Sequence, residues 1–194
     1  MTAGNNTNNS DMAADVSENS EEAKDWLADT LGMEYGDLTQ EAGSRVARSF
    51  PAKEGNLNEL AQEALLKKVE ELKIPVEYKT ELGALDRITV TVDGKDQEID
   101  CLALVATDVS LIPVFEESQV YEADGKAAAL VVSNNAEQLN KDSGELINGL
   151  YAAGPILSAA VDGEGVLSGN ELTEAVMFGS TAGTEAAVYV SDNQ

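Results

Sequence analysis

The sequence predicts an α+β fold, a predominantly antiparallel β sandwich or barrel preceded by an N-terminal helical segment. Three observations carry that expectation. The stretch from Asn56 to Lys73 keeps a helical apolar period. After Pro75 the period changes to two, first in Arg87–Val92. Short runs rich in Val, Ile and Tyr then recur to the end of the chain, separated by turn residues. At 194 residues and 43% apolar content there is enough material for one ordinary core. Only 5% of residues are aromatic, so Ala, Val and Leu must build most of it.

The elements divide the chain into residues 1–19, a polar extended arm; 20–75, a helical segment; and 76–194, a β-rich domain with short helices. The arm is Asn, Ser, Thr, Asp and Ala, with too little apolar surface to fold alone. Ser20 can cap a helix EEAKDWLADTL that stops at Gly32. Ala23, Trp26, Leu27 and Thr30 fall on one face of it, so Trp26 is expected to dock the helix. A second, shorter helix is expected over 39–49, before Pro51. The clearest helix follows. Asn56 and Glu59 stand at N-cap and N3, Leu57, Leu60, Ala61, Ala64, Leu65, Val69 and Leu72 form a stripe, and Pro75 ends it. Lys67, Lys68 and Lys73 lie toward its C-terminal end, where the helix dipole favours cations.

Beyond Pro75, Ile88, Val90 and Val92 alternate with Arg87, Thr89 and Thr91, and Asp93-Gly94 suits a hairpin turn into QEIDCLALV. Further strands are expected at 111–115, 119–123, 126–133 and 185–191, with Pro113 placing its strand at an edge. Asp142 and Glu145 form a capping pair for a short helix from Glu145 to Ala153, closed by Gly154-Pro155. PILSAAV reads as strand, and GSTAG at 179–183 as a flexible loop.

One stretch invites chemistry. In VDGEGVLSGNELTEAV, Gly165 at the sixth place of a calcium loop would put Asp162 third, Glu164 fifth and Glu171 twelfth. Ala160 then falls at the first place, where a ligand oxygen is needed. The same residues make a glycine turn, a Ser168–Glu171 capping box and a short helix ending at Gly179, with no metal required. That simpler reading is preferred. Asp162, Glu164 and Glu171 remain the candidate cation ligands, with Ca2+ or surface K+ or Na+ as the ions. No other cofactor is expected.

Other chemistry is thin. With no histidine, a histidine base and the Ser–His and Cys–His arrangements are excluded. No phosphate-cradling glycine loop is present. Cys101 shares a period-two face with Ile99, Ala103 and Val105, so a buried structural thiol is expected, with an intersubunit disulfide as the alternative. Acid pairs such as Glu116-Glu117 and Asp96 with Glu98 read as a solvated face. Arg45, Arg48 and Lys53, beside Phe50, are the one local excess of positive charge and a candidate docking patch for an acidic neighbour.

Thirty-six acids against twelve Lys and Arg leave a net charge of −24. Residues 1–41 carry −9, residues 42–80 carry +1 and residues 81–194 carry −16. Nucleic acid and direct membrane insertion are poor prospects on that charge and on the lack of a long apolar run. The first twenty residues lack the basic and apolar regions of a secretory signal. Few Lys, many acids and small apolar residues resemble the proteins of salt-in haloarchaea, whose solvent screens charge over roughly 3 Å at about 1 M salt. That resemblance implies a virion or the cytoplasm of a high-salt organism. It also implies a non-enzymatic structural subunit, a capsid protein of a haloarchaeal virus with a jelly-roll fold, packing against itself or other structural subunits. A cation-binding module using the 160–171 loop is the alternative, and a carboxylate-based enzyme stands third. Thermal unfolding is expected to shift upward in molar KCl; equal stability in dilute buffer would remove the salt-screening picture.

Overall fold

The computed structural model describes residues 5–41, 44–78, 82, 88–92, 95–99, 101–165 and 169–194. The fold begins with a 22-residue helix, α1 (Ser10–Leu31). The Asn9 carboxamide oxygen caps it, accepting from the Asp11 and Met12 amides at 3.1 Å each, and Gly32 ends it at φ 72°. Residues 10–19 are therefore helical, not extended. Met12 and Val16 continue the stripe of Ala23 and Leu27, all four buried. Two buried apolar residues in ten were enough, because they sit one turn apart. The residues before α1 fold back onto the same chain. The Asn9 amide donates to the Ala160 carbonyl at 2.7 Å, and the Tyr121 hydroxyl donates to Thr7 at 3.1 Å.

Residues 33–41 and 44–55 form an open excursion instead of the helix expected at 39–49. Backbone bridges join Tyr35 to Ala52 and Thr39 to Ser49, and Tyr35 and Phe50 pack rings 5.9 Å apart. Helix α2 (Leu57–Glu71) follows as predicted, with Asn56 accepting from Asn58 at 2.9 Å and Glu59 at 3.2 Å. Its leucine stripe differs from expectation. Only Ala61 is buried, against Ala23, Leu27 and Val176.

The strands are short. β1 (Ile88–Val92) and β2 (Lys95–Ile99) pair antiparallel with Val92 opposite Lys95; the expected Asp93-Gly94 turn lies outside the described residues. β3 (Leu104–Ala106) runs parallel to β7 (Leu146–Ala152), and β6 (Glu137–Leu139) pairs antiparallel on the other side of β7. β4 (Val120–Ala123) and β5 (Lys126–Leu130) form a hairpin turned by Asp124-Gly125, both at positive φ. The sheets thus have two, three and two strands, and no closed barrel or sandwich appears among the described residues. The α+β class holds. The single β architecture does not.

Three expected strands are helical, which explains the shortfall. Residues 111–115 fall in a 3-10 turn, Val109–Val114, capped by Asp108 on the Ser110 amide at 2.8 Å. PILSAAV is α3 (Pro155–Asp162), buried on most sides; a short apolar run of this kind does not tell helix from strand by its period alone. Residues 185–191 lie in α4 (Glu171–Asp192), which runs straight through Gly179, Gly183 and the expected GSTAG loop. Phe178 and Ala182 are buried one turn apart, and Ala186 and Tyr189 continue that face half-buried. Conversely, Leu146–Ala152 is strand. Asn140 makes a turn there, accepting from the Asp142 and Ser143 amides at 3.0 Å each, and its partners β3 and β6 hold the extended chain.

The main core lies between β5, β7, α3 and α4, with Leu130, Tyr151, Ile156, Leu157 and Phe178 fully enclosed. Gln138 is buried there without cost, accepting from Ser118 at 2.6 Å and donating to the Tyr151 carbonyl at 3.1 Å. No described helix is long and apolar enough to cross a membrane.

Gly149 sits in β7 at φ 77°, where an added Cβ would stand 2.7 Å from the Leu102 carbonyl oxygen and 3.2 Å from the Tyr189 ring. Gly144, at φ 71°, has nothing within 4 Å. Gly144→Ala should therefore lose only the backbone penalty of about 1–2 kcal/mol, and Gly149→Ala clearly more. Thermal melts of the two variants check this; equal losses in Tm would count against the β7 packing.

Candidate functional site

The chemistry collects where α3 ends and α4 begins. Asp162 closes α3, and Ser158 lies one turn before it on the same face. Glu174 lies in the first turns of α4 and is fully buried, 0% exposed, and Asp162 beside it is 5% exposed. Neither carboxyl oxygen of Glu174 has a hydrogen-bond partner among the described residues. Burial first, then the Asp162 charge, pushes Glu174 up to about 7; the nearby Ser158 hydroxyl pulls weakly the other way without reaching bonding geometry, and Glu171 adds to the rise. Asp162 accepts from the Asn170 side chain at 3.3 Å, which ties the end of α3 to the start of α4.

Asp162 also faces a cleft of about 940 Å³ lined by α1, the excursion, the start of α2 and the ends of α3 and α4 that face each other. Glu21, Glu41 and Glu171 join it on the walls, against two bases, Lys24 and Arg48. Tyr35 and Phe50 line one side. The Tyr35 hydroxyl donates to the Lys24 carbonyl at 2.8 Å, and burial, then the Asp25 charge, raises its pKa. The Lys24 ammonium lies 5.3 Å from the centre of the Phe50 ring and 3.0 Å from Asp25. Gly169 closes the base, within 3.4 Å of Ser49 were it to carry a Cβ.

The three expected cation ligands do not converge. Asp162 is buried and turned toward Glu174 and Asn170. Exposed Glu164 accepts from the Asn5 side chain at 3.1 Å, and exposed Glu171 accepts from the Gly169 amide at 3.3 Å. Ala160, at the first place of the calcium pattern, is fully buried in α3. Helix α3 holds the first three places of the pattern, residues 160–162, and a turn follows at 163–165; Val166, Leu167 and the expected cap Ser168 lie outside the described residues, and the described N-cap is Asn170. Among the described residues no three acid or thiol groups are gathered as an ion cage.

Cys101 is exposed rather than buried, its thiol donating to the Ala103 carbonyl at 2.6 Å. The alternation that placed it inside breaks at residue 101, between β2 and β3. Trp26 is half-buried against the second core cluster, with Leu172 and Met177 of α4 beside it, so it docks α1 within the chain. The basic patch separates: Lys53 pairs with Glu34 at 2.7 Å, while the Arg48 guanidinium donates to Ser44 at 3.2 Å on the cleft side. Arg45 stays exposed on the excursion.

Glu174 was missed in the sequence, where it read as a polar position in a capped helix. Its signal is register: Glu174, Phe178 and Ala182 follow each other at i, i+4 and i+8, which puts an acid on the apolar line of α4.

No protein-family model matches this chain, and no curated protein matches it in sequence. Among solved structures, the open conformation of a flavocytochrome c3 fumarate reductase superposes with a TM-score of 0.74 over 97% of this chain, at 12% identity. The match spans 66% of that chain, and at this identity the likeness is one of fold. It overturns the expected capsid subunit. The chain shares its architecture with part of a reductase, and its small separate sheets do not make the closed β body a jelly-roll requires.

Glu174 binds a proton more tightly folded than unfolded, so its contribution falls as pH rises from the ordinary carboxylate range through about 7. Between pH 5 and pH 8 the loss should be on the order of 3 kcal/mol. Glu174→Gln should flatten that part of the profile, read by denaturant unfolding across pH; an unchanged slope would show that the group does not titrate near neutrality.

Proposed function

We propose that the chain is a binding module for a small organic cation, an amine received in the cleft beside Asp162. One observation carries the reading. A nearly buried carboxylate on the cleft wall is backed by a second carboxyl group whose oxygens have no partner among the described residues. An ammonium group at Asp162 would gain an ion pair away from bulk water, where such contacts are strongest. It would also offset the Asp162 charge, which after burial raises Glu174, so binding would release protons near neutral pH. Four acids against two bases favour a cation, and Lys24 is already engaged with Asp25. The Tyr35 and Phe50 rings supply faces a cation can approach, as Lys24 does now.

The fold neighbour is named as a fumarate reductase, an enzyme acting on a dicarboxylate. A dicarboxylate would meet four like charges in this cleft, so the reading for this chain is opposite in sign. Titration calorimetry with putrescine and with agmatine, in molar KCl and in buffers of different ionisation heat, should show binding with proton release at pH 7. Asp162→Asn should weaken it by about 2 kcal/mol or more, and fumarate should give no heat. Amine binding that survives Asp162→Asn unchanged, or no amine binding at all, would end this reading.

A further inference from the structure

The residues before α1 read NNTNN, residues 5–9, and they are fastened to the far end of α3. Asn5 and Asn6 stand at φ 51° and 60°, the left-handed region that asparagine enters more readily than most residues with a side chain. Thr7, next in the chain, meets the turn after α3. Its hydroxyl oxygen accepts from the Glu164 amide at 3.0 Å and from the Tyr121 hydroxyl at 3.1 Å, so it joins that turn to β4. The Asn5 carboxamide donates to the Glu164 carboxylate at 3.1 Å, and Asn8 lines the cleft. The Asn9 amide donates to the Ala160 carbonyl at 2.7 Å while its side chain caps α1.

These bonds bracket Asp162. One falls on Ala160, before it in the chain, and two fall on Glu164, after it. The position needs such support for two reasons. Asp162 is the last residue of α3, where carbonyl groups lack donors within the helix and the final turn opens at least cost. Ala160 carries one of those carbonyls, and its donor comes from the strap. Asp162 is also 5% exposed and lies against Glu174, so desolvation and like charge both favour its swinging out into water. The Asn170 side chain reaches it at 3.3 Å, longer than a good N–H···O bond. A helix end loaded in this way needs a tie from outside the two helices, and residues 5–9 supply one.

We propose that the strap of residues 5–9 holds Asp162 in place at the cleft, with Thr7 as the positioning residue. The benefit to a ligand rests on the reading of the cleft as a cation site; the hold on Asp162 does not. Thr7 acts through the backbone on the far side of Asp162, and Asn9 through the backbone on the near side. A carboxylate already fixed at the cleft spares an incoming ammonium group the cost of ordering it.

Thr7→Val keeps the shape of the side chain and removes the acceptor, whereas Thr7→Ser retains it. Thr7 is exposed, so both variants of the full chain should fold, with Tm within about 4 °C of the parent. Putrescine, titrated by calorimetry at pH 7 in molar KCl, should bind Thr7→Val about threefold to tenfold more weakly, the usual contribution of one hydrogen bond. It should bind Thr7→Ser as it binds the parent. Denaturant unfolding across pH, with no ligand present, reads Glu174. Once the end of α3 is released, Asp162 moves off and water reaches Glu174. The fall in stability with rising pH should then finish at lower pH in Thr7→Val than in the parent, and stay in place in Thr7→Ser. An unmoved step in Thr7→Val overturns the inference, as does unchanged putrescine affinity beside a parent that binds. A Thr7→Ser chain that behaves as Thr7→Val also overturns it. A parent that binds no amine ends the cation reading alone, and the pH profile then decides the strap by itself.

Discussion

Two long acidic helices have to lie side by side in this molecule, and the apolar seam between them is what the rest of the structure depends on. Helix α1 carries seven acids and one lysine, and α4 carries four acids and no base. Coulomb repulsion between such helices can be met only by keeping charges outward and burying a continuous stripe between them. It is met in two places: Met12 and Val16 of α1 join the main core with Phe178 and Ala182 of α4, and Ala23 and Leu27 meet Val176 in a second cluster. Small residues on the seam let the helices approach, consistent with a core built from Ala, Val and Leu rather than aromatics.

The seam has a consequence at its α3 end. Glu174 lies on the apolar line of α4 but is an acid, and α3 brings Asp162 against it. Two carboxyl groups in a water-poor contact cannot both ionise cheaply, so the proton remains on the more buried one. A similar balance operates more weakly across the sheet, where burial, then the Glu185 charge of α4, raises Glu137. The molecule holds its carboxylates mostly outside and retains a few where packing leaves no alternative. The cleft beside Asp162 opens next to that exception.

Helix α2 and the residues after it stand apart from this arrangement. The helix adds only Ala61 to the buried set, against Ala23, Leu27 and Val176, so its capping and its leucines specify a helix with a small packed face within the described structure. Local propensity and capping suffice to shape it.

Several features were legible in the residues themselves. Asn56 and its capping partner, the stop at Gly32 and the switch of period at Ile88 are local, set by hydrogen bonds and spacings within a few residues. What tertiary packing decided were the elements whose local pattern was ambiguous or buried. Leu146–Ala152 became strand because β3 and β6 flank it, and PILSAAV, a short apolar run that either structure could hold, became helix where it packs against β5 and α1. The approach of Glu174 to Asp162 likewise joins residues on two helices, and desolvation, which gives that contact its chemistry, exists only once both have been packed away from water.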